Sequence, residues 1–242
     1  MAQDHIVKSF DDELAKLTQA IAQMGGLAEA QLEASIQALT RHDPEYAASI
    51  VKADKRIDEL EYQVGNLAVR MLALRQPMAS DLREVVAALK ISSDLERIGD
   101  YATNIAKRAI ALVDGPTIST LYVIPRMAQL VQTLIKDVLD AYVAHDADRA
   151  MAAWQRDEEV DAMYTSLFRE LLTYMMEDPR NIGPCTHLMF IAKNIERMGD
   201  HATNVAELVY FLVHGHALDQ TRPKGDTTNV VVAPRAQTSA HE

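Results

Sequence analysis

Two segments one hundred residues apart repeat one another: Leu95-Glu96-Arg97-Ile98-Gly99-Asp100-Tyr101-Ala102-Thr103-Asn104 and Ile195-Glu196-Arg197-Met198-Gly199-Asp200-His201-Ala202-Thr203-Asn204. Seven of the ten positions are identical, and it is the polar ones that are kept while the apolar ones hold only their character. Packing alone preserves hydrophobic periodicity, so retained Glu, Arg, Gly, Asp, Thr and Asn point to a chemical task performed twice. Upstream, His42-Asp43 matches His145-Asp146, Asp54 matches Asp157 and Asp58 matches Asp161, each at a separation of 103 residues. One short insertion or deletion between helices reconciles the two spacings. The unit is far longer than the roughly 20–50 residues of solenoid repeats, so the chain reads as two fused copies of one module.

The module is helical. Hydrophobic residues make up 48% of the 242 and aromatic ones only 5%, with abundant Ala, Leu, Met, Asp and Glu, a mixture that favours helix over sheet. Six helices are predicted. The first spans about Asp11 to Thr40, with Phe10, Leu14, Leu17, Ile21 and Met24 as a bundle seam and a bend expected at Gly25-Gly26. The second opens with Asp43 as N-cap and Pro44 in the first turn, repeats Ile57, Leu60, Val64, Leu67, Met71 and Leu74, and stops at Pro77. The third runs from Ser80 to Asp114-Gly115-Pro116. The fourth begins between Ser119 and Pro125 and reaches Ala144; the fifth, capped by Asp146, ends at Asp178-Pro179; the sixth follows Pro184 and ends near Gly215. Short connections make neighbours antiparallel, giving an all-α fold of two tandem three-helix bundles, residues 1–115 and 116–216. Residues 217–242 are polar and broken by Pro and Gly, and a disordered tail is expected there.

A net charge of −11 argues against nucleic-acid binding, which needs clustered Lys and Arg to neutralise phosphates. Acidity suits cations, although alone it more often reflects solubility. The single cysteine, Cys185, excludes an internal disulfide and fits a reducing cytosol. The first residues lack the basic and then apolar pattern of a signal peptide, and no apolar run approaches the ~18 residues that span a bilayer. A soluble, cytoplasmic protein is expected.

The predicted third helix has one strict seam, Ile91, Leu95, Ile98, Ala102, Ile105, Ala109 and Leu112, and the sixth repeats it with Ile191, Ile195, Met198, Ala202, Val205, Val209 and Leu212. At ~100° per residue, Glu96, Asp100 and Thr103 cluster on a face away from that seam, on the bundle's flank. Asp54 and Asp58, and likewise Asp157 and Asp161, lie one turn apart beside the seams of the second and fifth helices. Each repeat therefore offers two acid-x-x-x-Asp pairs from consecutive antiparallel helices. At ~8–10 Å between axes, four carboxylates converge around one or more cations. The candidate ligands are Asp54, Asp58, Glu96 and Asp100 in the first repeat and Asp157, Asp161, Glu196 and Asp200 in the second. Thr103, Asn104, Thr203 and Asn204 stand ready as ligands or supports, and Arg97 and Arg197 are assigned to orienting or neutralising the acids. An all-oxygen set favours Mg, Ca, Mn or Fe over Zn. Gly99 and Gly199 permit close approach of a neighbouring helix or of a metal cluster. The competing reading is a solvated face with Arg97–Asp100 and Arg197–Asp200 as i,i+3 ion pairs. His201 is read as non-ligating, because its counterpart is Tyr101, and His187 as a capping or packing residue.

Two three-helix bundles each carrying Glu-Arg-(Ile/Met)-Gly-Asp-(Tyr/His)-Ala-Thr-Asn resemble the PhoU family of phosphate-transport regulators. The resemblance covers about residues 5–215 and includes the four acid pairs named above. It implies a cytoplasmic, usually dimeric, non-enzymatic protein that binds multinuclear metal clusters, with Mg, Mn or Fe as candidates, through these motifs. It also implies a negative regulator of phosphate uptake and of the phosphate-starvation response. Such an adaptor acts between the ATPase subunit of the phosphate ABC transporter and a membrane sensor histidine kinase. Tyr101 departs from the His common after the first Gly-Asp, so the two sites are expected to differ in affinity or metal number. Two other classes stay open: a purely structural helical dimer with acidic flanks, and a carboxylate-bridged di-metal oxidase. The oxidase chemistry wants Glu-x-x-His, and none of the fifteen glutamates has His three residues later.

Overall fold

The computed structural model describes residues 2–113, 122–220 and 222. The helices are α1 (Ala2–Arg41), α2 (Pro44–Ala53), α3 (Lys55–Arg75), α4 (Ser80–Ala111), α5 (Val123–Ala144), α6 (Ala147–Gln155), α7 (Asp157–Glu177) and α8 (Ile182–His214), with a 3-10 turn at Pro179–Asn181 before α8. The predicted breaker at 114–116 and the start of the fourth helix before Tyr122 lie outside the described residues, as does the expected disordered tail at 221 and from 223 onward. The tail's first residues are docked: Leu218 packs against the core. Among the described residues no helix is long and apolar enough to cross a membrane.

The predicted seams are the core. The six seam positions within α4, with Leu112 just past its end, and all seven of α8 are buried, and the buried residues of both repeats form one continuous cluster. α4 packs on α1, α2 and α3, α8 on α5, α6 and α7, and the two central helices pack on each other. Leu74 is the exception among the α3 positions: at the helix's last turn it is exposed.

The doubled His-Asp is a chain reversal built twice. His42 and His145 hold φ of 52° and 51°, the left-handed region that ends helices. Asp43 and Asp146 then extend and accept from Tyr46 N at 2.9 Å and Arg149 N at 3.0 Å, satisfying orphan donors of the next helix.

Three expectations change. The second and fifth predicted rods are each interrupted by one residue, Asp54 and Arg156, which stay in the right-handed helical region. There Ile57 N bonds Asp54 O and Glu159 N bonds Arg156 O, an i to i+3 tightening. The interruption is a bend that keeps both halves of each rod on its central helix. It places Asp58 and Asp157 in the first turns of α3 and α7, where unpaired N–H groups favour negative charge. α1 meanwhile runs unbroken through Gly25-Gly26. Gly25 instead admits the side chain of Leu139 from α5, which a Cβ there would overlap.

The repeats are related by a local twofold axis, read from residues that meet their own counterparts. Tyr101 and His201 have ring centroids 5.6 Å apart across α4 and α8. Gln132 donates to the carbonyl of its counterpart Glu29 at 3.3 Å across α1 and α5.

Candidate metal centres

Each repeat brings its four predicted acids to the groove between the bent rod and the central helix. In the first, the charges of Asp54 and Asp100 act on Asp58, whose carboxyl burial pushes up from the ordinary value, with those two neighbours pushing the same way. Glu96 rises to about 7, through burial first and then the Asp100 charge, with Arg97 opposing. Arg97 spans Glu96 (3.3 Å) and Asp100 (3.0 Å) along one face of α4, placing its positive charge between the two acids. Gln31 of α1 donates to Asp54 Oδ1 at 3.0 Å and to Thr103 Oγ1 at 2.6 Å, tying the acid on the bend to the central helix.

The second cluster lies deeper. Asp157, Asp161 and Glu196 are 2%, 3% and 5% exposed, which corrects the expectation of acids on an open flank. α8 is a central helix with neighbours on several sides, so the face away from its seam is roofed by α7. Burial raises Glu196 to about 7, helped by Asp200 and Asp161 and opposed by Lys193. Burial likewise raises Asp157 to about 6, against the pull of a nearby arginine. Lys193 donates to Glu196 Oε1 at 2.8 Å, while Glu196 Oε2 is buried without a hydrogen-bond partner. That arginine is Arg222. Its Nη2 lies 2.5 Å from Asp157 Oδ2 and 2.7 Å from Asp200 Oδ1. Gly199 works as expected: a Cβ there would stand 3.0 Å from Asp157 Oδ1, so the missing side chain lets the carboxylate approach α8.

Other assigned supports sit elsewhere. Arg197 lies over the Tyr101 ring at 5.9 Å, drawn by the aromatic face, and the counter-charge of the second cluster comes from Lys193 and Arg222. Asn104 is exposed. Asn204 donates to Asp94 Oδ1 at 3.2 Å, and His201 Nδ1 meets the same oxygen at 2.7 Å, so both serve the α4–α8 interface. Thr203 donates to Asp200 O at 2.8 Å. His187 faces Arg108 at 3.5 Å.

As the side chains stand, no three His, Cys, Asp or Glu among the described residues are set around a common point. The carboxylates end instead on the cations and donors at hand: Arg97, Gln31, Lys193 and Arg222. The donors nevertheless fit a hard cation. They are all oxygen, they raise one another's proton affinity, and one buried oxygen has no partner.

The model of the PhoU domain matches the chain twice, at residues 21–109 and 124–209. The chain belongs to the PhoU family. Among curated PhoU relatives, the phosphate-specific transport system accessory protein PhoU homolog of Caulobacter vibrioides (strain NA1000 / CB15N) is 54% identical over 224 residues, 92% of this chain and 97% of that protein. The homolog so named from Rhizobium meliloti (strain 1021) is 48% identical over 232 residues, 96% and 98% of the two chains. The crystal structure of PhoU from Pseudomonas aeruginosa superposes with a TM-score of 0.83 at 40% identity, covering 86% of this chain and all of that one. That of the phosphate transport system regulatory protein PhoU from Streptococcus pneumoniae gives 0.82 at 31% identity, covering 87% of this chain and all of its own.

Proposed function

We propose that this chain is a metal-binding, non-enzymatic accessory protein of phosphate transport. It works as a cytoplasmic homodimer between the ATPase subunit of the phosphate transporter and a membrane sensor histidine kinase, and it restrains uptake and the starvation response when phosphate is ample. The accessory role is supported by relatives that are named accessory proteins of that system and cover almost the whole chain. The observation that supports the metal-binding part is the pair of all-oxygen carboxylate clusters beside the central helices, one with a buried oxygen lacking a partner. A cation bound at these acids, with Mg, Mn and Fe as candidates, would neutralise them and present open coordination positions to a partner's oxygen ligands.

The test uses Mn2+ as probe. Asp100 and Asp200 are partly exposed, about a third by side chain, so replacing both by Ala is expected to change stability by under ~1 kcal/mol. Mn2+ binding by equilibrium dialysis is expected to weaken at both clusters while far-UV dichroism is unchanged. Loss of helix, or unchanged binding, would sink the reading.

Proton affinity adds a second expectation. Glu96 and Glu196 titrate near 7 in the fold against 4.5 as ordinary side chains, and Asp157 near 6 against 3.8. Between these values the fold holds more protons than the unfolded chain. The stability these groups contribute is therefore complete below about pH 4 and lost as pH rises through about 7. Metal must displace the same protons, so Mn2+ affinity rises over that window. Thermal melts with chelator are expected to favour pH 5.5 over pH 8, and Mn2+ to raise the midpoint more at pH 8.

A further inference from the structure

Among the described residues past Gly215, Arg222 is the one that reaches the second acid cluster, and it enters as a bridging cation would. Its Nη2 joins an acid of α7 to an acid of α8, Asp157 and Asp200, and its Nε makes a second bond to Asp157 Oδ2 at 3.1 Å. Its side chain is only 15% exposed. Arg97, at the first cluster, is a different device. It is 55% exposed and binds Glu96 and Asp100 of its own helix, so among these pairs only Arg222 holds together two elements. A guanidinium is always protonated, and a forked, charge-assisted pair with a buried carboxylate is among the stronger polar contacts. No second positive charge fits between those carboxylates without opposing the first.

The path to this seat is long and lightly packed. Asp200 lies fourteen residues back along α8 from His214, about 21 Å at ~1.5 Å per residue. Eight residues, from 214 to 222, extend over at most about 26–29 Å, so the chain, turning at Gly215 with φ of 78°, is long enough to bring Arg222 back along the helix to Asp200. On the way it roofs a cleft of about 570 Å3 lined by Lys90, Asp94, Asn204, Phe211 and Leu218. Leu218 and Arg222 are the anchors. A segment held at two points over a cleft is released when one is lost.

We propose that Arg222 is an internal counter-ion of the second cluster, and that a divalent cation entering this cluster displaces it, so that metal binding there and docking of the tail's first residues exclude one another. This rests on the reading that the clusters take hard cations. Metal occupancy is thereby coupled to the docking of Leu218 and Arg222, and the second cluster binds more weakly than the same acids would without Arg222.

The experiment compares the full chain with Arg222→Gln in two settings. In a background where Asp58→Asn and Asp100→Asn silence the first cluster, Mn2+ affinity at the second is expected to tighten about tenfold, equivalent to ~1.4 kcal/mol. In the otherwise unaltered chain, saturating Mn2+ is expected to accelerate amide hydrogen exchange at residues 217–222, as Arg222→Gln does without metal. Equal or weaker binding in Arg222→Gln, or unchanged exchange on Mn2+ addition, overturns the competition while leaving metal binding intact. If neither cluster of the unaltered chain takes Mn2+, the metal reading fails and the proposal with it.

Discussion

Trp154→Ala is expected to destabilise the chain by about 3–5 kcal/mol, a fall of roughly 10 °C in midpoint for a protein of this size. Trp154 is 2% exposed and closes the last turn of α6, with its Nε1 donating to Glu207 Oε1 of α8 at 3.0 Å. Truncation leaves both a cavity the size of an indole and an unpaired carboxylate. The residue also stands just before the bend at Arg156, so the second acid cluster is supported from here. Chemical denaturation is the measurement, and a loss under ~1 kcal/mol would mean that α6 collapses onto α8 without needing the ring. Phe in place of Ala should restore most of the packing but not the hydrogen bond, separating the two contributions.

The second large effect is a change of opposite sign in two properties. Glu196→Gln keeps the shape and the acceptor facing Lys193 but removes a buried charge crowded by Asp161 and Asp200. The metal-free chain should gain about 1 kcal/mol at pH 8, where the native glutamate is ionised, and nothing at pH 4.5, where it is protonated. Mn2+ affinity at the second cluster should fall on the order of a hundredfold, since an amide oxygen is a poor substitute for a carboxylate toward a hard cation. A group retained at a cost to the fold and needed for binding is a functional group. Isothermal titration together with denaturation at the two pH values decides it. Lower stability at pH 8 with unchanged binding would make Glu196 a structural residue.

How much of this was legible depended on whether a residue was doubled. The seams of α4 and α8 were readable because a core face repeats every three or four residues, and all of them are buried. The eight acids stand out in the sequence because each has a counterpart. Gln31 was not, because the matching position in the second repeat is Leu134; the structure places it between Asp54 and Thr103. Lys193 and Arg222 escaped for the same reason, and Arg222 also because it lies where composition suggested only a tail. The bends at Asp54 and Arg156 carry neither Pro nor Gly and keep helical dihedrals, so no local signal marks them; tertiary packing of both rod halves on a central helix sets them. Periodicity also said which acids leave the seam, but not that a neighbouring helix would roof them in the second repeat. Gly25-Gly26 misled because glycine marks close approach as often as curvature, and here Leu139 fills the space.

The meeting of Tyr101 with His201, and of Glu29 with Gln132, has a consequence of its own. In an assembly of two separate identical chains, a side chain on the dyad must tolerate a copy of itself, and any change there happens on both sides at once. Covalent fusion lifts that constraint. His201 has a carboxylate opposite it in Asp94, whereas Tyr101 has the tyrosine ring and Asp94's counterpart is Asn194. The joined halves have thus specialised at their seam, and a charge-bearing contact exists on one side of the dyad that a symmetric ancestor would have been obliged to make twice or not at all.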